Sequence, residues 1–393
     1  MEPLLASRAL HLVEAPHPDS SDAISLDSGY GFADIFPDLT AAAQRALTTY
    51  RGESLQYGKP FGLLALREWI SRYLAEDGIA LAPDEILIVN GAKNGIDLLC
   101  RLFTEDGDTI AISAPTYFTA IPIFKSFGLQ FVQVPQDSDG MDVAALERAL
   151  AQRSSAGLPA PKFIYEIPDF HNPTGVTLSR ERREKLVALA SRLRIPILED
   201  SPYRKLRYDG EQAPALKALD DDGIVFSLGT FSKLMAPGLR VGWIGGTRPM
   251  LERVARLKSD GGTCPFTQRV IFEFCNGGGL DAQSVRARET YAAHRDTMVA
   301  AVRRELPEFE FAVPEGGYYL WATLPRGTDS KALAARAYDA GVSIIAGAMF
   351  YADPADAAVA QEAARHIRLS YSGSSPAEIE EGVRRLARAY RTT

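Results

Sequence analysis

Cysteine is scarce in this chain. Its 393 residues include three, Cys100, Cys264 and Cys275. An odd number without regular spacing excludes a disulfide framework and fits a reducing compartment. No zinc-type cysteine pair accompanies the five scattered histidines, so no metal site is expected. Apolar runs are short, and none approaches the roughly 18 residues needed to cross a bilayer. Residues 1–19 lack a basic stretch followed by an apolar one, so no secretory signal is read there. Positive charge is not in excess either. The formal net charge of −7 argues against a nucleic-acid surface as the main business of the protein. Internal repeats and low-complexity tracts are absent. These absences leave a cytoplasmic protein with no membrane or nucleic-acid partner as the expectation.

What is present suits a globular protein. A hydrophobic content of 46% supplies a sizeable core, and the length suits about two domains. Residues 1–23 lack periodicity and read as a mobile arm. From about Gly62, short apolar runs alternate with amphipathic ones. Ile86-Leu87-Ile88-Val89, Thr109-Ile110-Ala111-Ile112, Lys162-Phe163-Ile164-Tyr165, Ile195-Pro196-Ile197-Leu198, Ile224-Val225-Phe226 and Val241-Gly242-Trp243-Ile244 read as buried strands. Leu63, Leu66, Trp69, Ile70 and Tyr73 share one helical face, as do Leu186, Leu189 and Leu193. This alternation predicts an α/β fold around a mostly parallel sheet. After Gly277-Gly278-Gly279 the pattern changes, and Asp281 to Leu306 reads as one long helix. The expected division is an arm plus part of a small domain over 1–45, a large domain over 46–280, and a small α+β domain over 281–393 that begins with the linking helix 281–306.

The densest chemical signal is Ser227-Leu228-Gly229-Thr230-Phe231-Ser232-Lys233-Leu234-Met235-Ala236-Pro237-Gly238-Leu239-Arg240. Lys233 offers an amine for a Schiff base. The hydroxyls of Thr230 and Ser232 and the guanidinium of Arg240 suit a phosphate dianion. Upstream, Ile197-Leu198-Glu199-Asp200-Ser201-Pro202-Tyr203 places Asp200 at the C-terminal end of a strand, where parallel α/β sheets bind ligands. Ile88-Val89-Asn90-Gly91-Ala92-Lys93 runs from a strand through a glycine turn into a helix, a ready anion site. The sequence also contains Ala114-Pro115-Thr116-Tyr117, Pro168-Asp169-Phe170-His171-Asn172-Pro173-Thr174-Gly175, Leu55-Gln56-Tyr57-Gly58 and His366-Ile367-Arg368-Leu369-Ser370. Alone, each has a bland reading: a βα turn, a core tyrosine, a surface acid, a structural salt bridge.

Together and in this order, they resemble the class I/II aminotransferases of the pyridoxal-phosphate (PLP) fold type I. The resemblance runs from Gly58 to Arg368. It implies a seven-stranded-type sheet flanked by helices, the cofactor pyridoxal 5′-phosphate, and a homodimer with shared active sites. Lys233, Asp200 and Tyr117 would carry the chemistry: Lys233 as the Schiff-base lysine, Asp200 on the ring nitrogen, Tyr117 against the ring. Gly91, Ala92, Lys93, Thr230, Ser232 and Arg240 would bind the phosphate, joined by Tyr57 from the other subunit. Asn172 and Tyr203 would face the ring oxygen. Arg368, with Asn172, Gly29 and Tyr30, would meet the amino-acid substrate.

Some wording departs from the family. The N-terminal covering segment is Asp27-Ser28-Gly29-Tyr30-Gly31-Phe32, where Gly-Gly-x-Pro is usual. Ala346-Gly347-Ala348-Met349-Phe350 lacks the usual proline. The segment Lys258 to Gln268 carries no arginine, which disfavours a dedicated aspartate enzyme. Amino transfer between an L-amino acid and a 2-keto acid is the first reading. A second is another PLP reaction in specialised metabolism: elimination or replacement, cyclisation, C–C bond formation or oxidation. A third is a transcription regulator with such a domain, disfavoured because the roughly 60 residues before the Gly62 helix contain no basic recognition helix.

Overall fold

The computed structural model describes residues 22–353 and 357–392. Residues 1–21, most of the expected arm, lie outside the described residues. In chain order the strands are β1 (Ile24–Ser25), β2 (Ile86–Val89), β3 (Thr109–Ala114), β4 (Gln130–Asp137), β5 (Gly140–Met141), β6 (Ile164–Glu166) and β7 (Ile197–Asp200). They continue with β8 (Val225–Thr230), β9 (Gly242–Gly245), β10 (Tyr319–Thr323), β11 (Val342–Ser343), β12 (Ile345–Ala346) and β13 (His366–Ser370).

Eight of these form one sheet in the order β2-β9-β8-β7-β6-β3-β4-β5. The pairs β4–β3, β3–β6, β6–β7 and β7–β8 are parallel, while β9 runs antiparallel to both β8 and β2. The eighth strand is the two-residue β5, which turns back on the end of β4. Strands β2 and β7 are buried along their whole length. That is why they read as unbroken apolar runs. Strand β4 was not legible in this way. Its polar Gln130, Gln133 and Gln136 and its Pro135 mark a partly exposed strand near the sheet edge.

Helices cover the sheet. Ala92–Phe103 buries Ile96, Leu98, Leu99 and Cys100, and Arg180–Leu193 starts at Ser179, whose hydroxyl accepts from the Arg182 backbone N–H. The helix expected over 281–306 spans Gly279–Glu305. It packs on the final helix, Pro376–Arg391. Beside it lies a three-stranded antiparallel sheet, β10-β13-β12. Strand β1 pairs in parallel with β11, and Ile24 and Leu26 share a core with Met298, Leu320, Leu369 and Val383. No helix among the described residues is long and apolar enough to cross a membrane.

Candidate active site

Parallel strands share one C-terminal edge, and β2 runs in the same direction because β9 is antiparallel to both β2 and β8. Residues at or just past the ends of β2, β3, β6, β7 and β8 line a cavity of about 620 Å³. Its wall includes Gly29, Tyr30, Ala92, Lys93, Tyr117, Asn172, Asp200, Tyr203, Thr230, Ser232, Lys233, Arg240 and Arg368. Residues from distant segments thus meet at one place.

Lys233 lies just past β8, its amine donating to the Gly29 carbonyl at 2.8 Å. Desolvation lowers the amine's pKa below the usual lysine range; nearby Arg368 and Arg240 lower it further, while Tyr319 and Asp200 act in the opposite sense. Asp200 ends β7 and is 3% exposed. Its Oδ2 accepts a 2.7 Å bond from the Tyr165 hydroxyl. Among the described residues its Oδ1 is buried with no hydrogen-bond partner. A buried carboxylate oxygen without a donor is costly, and a protonated ring nitrogen in the cavity would supply one.

The other end of the cavity suits an anion. The helix Ala92–Phe103 begins there, with Gly91 before it at φ +83. The first N–H groups of a helix have no partner within it. A Cβ at Gly91 would stand 2.7 Å from Arg240 Nη2, so the missing side chain is what lets the guanidinium close on the turn. Arg240 donates to the Asn90 carbonyl at 3.0 Å, and the Thr230 hydroxyl donates to Ser232 Oγ at 2.9 Å. Gly91 therefore shapes this cradle from behind. The carboxylate oxygen lacking a donor and this cradle together fit a phosphorylated pyridine.

Arg368 occupies the middle of the central strand β13, paired with Trp321 on one side and Ile345 on the other. It is 1% exposed. It donates to Asn172 Oδ1 at 2.9 Å and to the Asp27 carbonyl, and its Nε has no partner. Among the described residues no carboxylate forms an ion pair with it, so the structural salt bridge is not what holds it. A carboxylate entering the cavity would give it a counter-charge. Asn172 is held in its loop by Arg183, which donates to the Pro168 and Leu178 carbonyls at 2.6 and 2.8 Å and to Asp169.

Tyr117 is half-buried by area, yet its hydroxyl is enclosed, and desolvation pushes it up to about 12. Tyr30, 64% exposed, stands at the rim, with its carbonyl fixed by the Ser372 hydroxyl. Tyr57 is not brought to the cavity: it is 88% exposed on this chain. The segment 258–268 does not line the cavity either.

Sequence reasoning missed several members. Tyr165 holds Asp200 from the neighbouring strand. Its register partner is Leu198, two residues before Asp200, so strand alternation puts both side chains on one face. Phe118, Thr119, Tyr319 and Ile345 also line the cavity. Tyr319 lay in an aromatic run, Tyr318-Tyr319-Leu320-Trp321, that reads as core.

Comparison with known proteins decides the family. The model for aminotransferase class I and II matches residues 21–386. The chain belongs to this family. An aromatic-amino-acid aminotransferase of Thermococcus litoralis is 36% identical over 379 residues, covering 94% of this chain and 88% of that one. A Bacillus subtilis protein named an HTH-type transcriptional regulator, YdfD, is 30% identical over 93% of this chain and 73% of its own length. The crystal structure of a Pyrococcus horikoshii kynurenine aminotransferase superposes with a TM-score of 0.92 at 34% identity, covering 99% and 97% of the two chains. The protein is a PLP-dependent aminotransferase of fold type I.

The charge state of Asp200 gives a test. Burial raises its carboxyl from the ordinary 3.8 to about 6, against the opposing pull of the Tyr165 hydroxyl and Lys233. Folding therefore penalises the ionised form. The group's contribution to the cofactor-free fold is fully present below about pH 4 and lost as pH rises through about 6. Asp200→Asn should make the cofactor-free protein more stable at pH 8, by about 2–3 kcal/mol. The two proteins should converge at pH 4. Thermal unfolding at both pH values checks this.

Proposed function

We propose that the amino donors of this aminotransferase are aromatic L-amino acids, including those with the extended ring side chain of kynurenine. One observation carries the reading. Beyond Arg368, the wall is built by Tyr30, Phe118, Tyr319 and Ile345, and among the described residues the only other arginine on it is Arg240 in the anion cradle. A flat apolar side chain would be buried there, whereas a side-chain carboxylate would find no guanidinium of its own. The T. litoralis and P. horikoshii relatives, named for aromatic amino acids and kynurenine, support it.

In this reading Asp200 Oδ1 would accept from the ring nitrogen and Tyr203 would donate to the ring oxygen. Tyr117 would lie against the ring. Lys93, Thr230, Ser232, Arg240 and the N–H groups after Gly91 would hold the phosphate. When bound, PLP supplies an aldehyde for amine exchange and a ring that withdraws electrons from the substrate's α carbon. Arg368 and Asn172 orient the substrate α-carboxylate. Lys233, whose desolvated amine is readily neutral, takes the proton from Cα. The aromatic wall excludes water from that transfer.

We further propose a homodimer in which Tyr57 reaches the phosphate of the other subunit, supported by its exposure outside its own cavity. The domain division at about 46 and 281 is also ours, supported by the core that joins Ile24 and Leu26 to the C-terminal elements. A cytoplasmic location is supported by the three free cysteines.

The test is a donor series without keto acid, following loss of the holoenzyme's visible absorbance. Phenylalanine, tyrosine, tryptophan and kynurenine should each discharge it with one keto acid released per site. Aspartate should do so with kcat/KM lower by about tenfold or more. A preference for aspartate would overturn the substrate reading, and a monomer in sedimentation would overturn the shared site.

A further inference from the structure

Tyr319 touches both halves of the site, and no motif pointed to it. It opens β10 opposite Ser370 of β13. Arg368 lies two residues before Ser370, on the same face of the sheet. The Arg368 guanidinium stands 4.1 Å from the centre of the Tyr319 ring, a separation suited to cation–π attraction, which is strongest where water is excluded. At the other end of the same side chain, the Tyr319 hydroxyl is 3.2 Å from the Tyr203 hydroxyl. Tyr319 is 3% exposed, so that hydroxyl needs a partner. The N-terminal segment is shaped around it: a Cβ at Gly29 would lie 2.1 Å from Tyr319 Oη. A phenylalanine would supply the ring; only a tyrosine uses the space left by Gly29.

We propose that Tyr319 is a positioning residue that acts through two others, its ring fixing Arg368 for the substrate carboxylate and its hydroxyl polarising Tyr203 toward the cofactor's ring oxygen. This rests on the site assignment above. A hydroxyl has one proton and two acceptor sites. When Tyr203 gives its proton to the cofactor, Tyr319 can donate to the oxygen of Tyr203. That bond makes Tyr203 a stronger donor. The other groups facing Tyr203 are Tyr117, the Tyr318 ring, the Lys233 amine and Arg368. Tyr319 also acts directly on Lys233 and Tyr117, and a Tyr203→Phe background keeps that direct effect while removing the path through Tyr203.

The ring and the hydroxyl can be separated by substitution in the holoenzyme. Tyr319→Phe keeps the ring. It should leave KM for the amino acid within about twofold. It should also raise the pH midpoint of the cofactor's visible absorbance by about half a unit to one unit, because a donated hydrogen bond to the ring oxygen is weakened. Tyr319→Leu removes the ring and should raise KM about tenfold. In a Tyr203→Phe background, adding Tyr319→Phe should move the midpoint no further. An unmoved midpoint in Tyr319→Phe, or the same shift with and without Tyr203, overturns the hydroxyl's role. An unchanged KM in Tyr319→Leu overturns the ring's role. Failure of the unsubstituted protein to take up PLP would instead overturn the site assignment itself, before any variant is compared.

Discussion

Lys233→Ala should lose transamination by about 10⁴-fold or more, the upper range for a positioned acid–base group, and should no longer hold its cofactor covalently. Two features of the site argue for so large an effect. The amine is desolvated and flanked by Arg368 and Arg240, all of which hold it below the usual lysine range and favour the neutral base. Among the described residues it is also the sole lysine amine at the centre of the cavity, since Lys93 lies at the anion cradle. Borohydride reduction followed by peptide mass analysis should show the cofactor mass on the peptide containing residue 233 in the unsubstituted protein and not in the variant. Normal turnover by the variant would refute the proposed role of this lysine.

Arg368→Leu should have the second largest effect. Leaving a carboxylate without its buried cation costs about 3–5 kcal/mol, or a rise in KM of roughly 10²- to 10⁴-fold for every amino acid tested. The same substitution should not weaken the fold. Among the described residues the guanidinium is buried without a carboxylate, and only Asn172 and the Asp27 carbonyl accept from it. An apolar side chain removes the desolvation cost of that lone cation, so the cofactor-free variant should be no less stable. Calorimetry of the cofactor-free variant alongside its kinetics separates the two expectations. An unchanged KM would place the carboxylate elsewhere.

How much of this was legible in the sequence depended on what kind of residue carried each signal. Strands buried on both faces, such as Ile86–Val89, announced themselves as apolar runs. The edge strand Gln130–Asp137 did not, because half of it faces water. Lys233, Asp200 and Arg368, which line the cavity, could be singled out because their order matched a family. Tyr165 and Tyr319 were not found, because an aromatic in a strand is ordinary until register shows what its hydroxyl meets. Tyr57 marks a different limit. Its motif was readable, yet on this chain it is exposed, and the role proposed for it needs a second copy.

The bond between Arg368 and Asp27 has a consequence for synthesis. The two residues are 341 positions apart, and Gly29 reaches Lys233 across another 204. Loop closure of that span comes late, since both partners must exist before they can meet. On the ribosome, the phosphate cradle and Lys233 are complete long before Arg368 emerges. In the proposed site, the parts that would hold the cofactor are therefore made well before Arg368, the part that would bind the amino acid, which is completed only with the last strand.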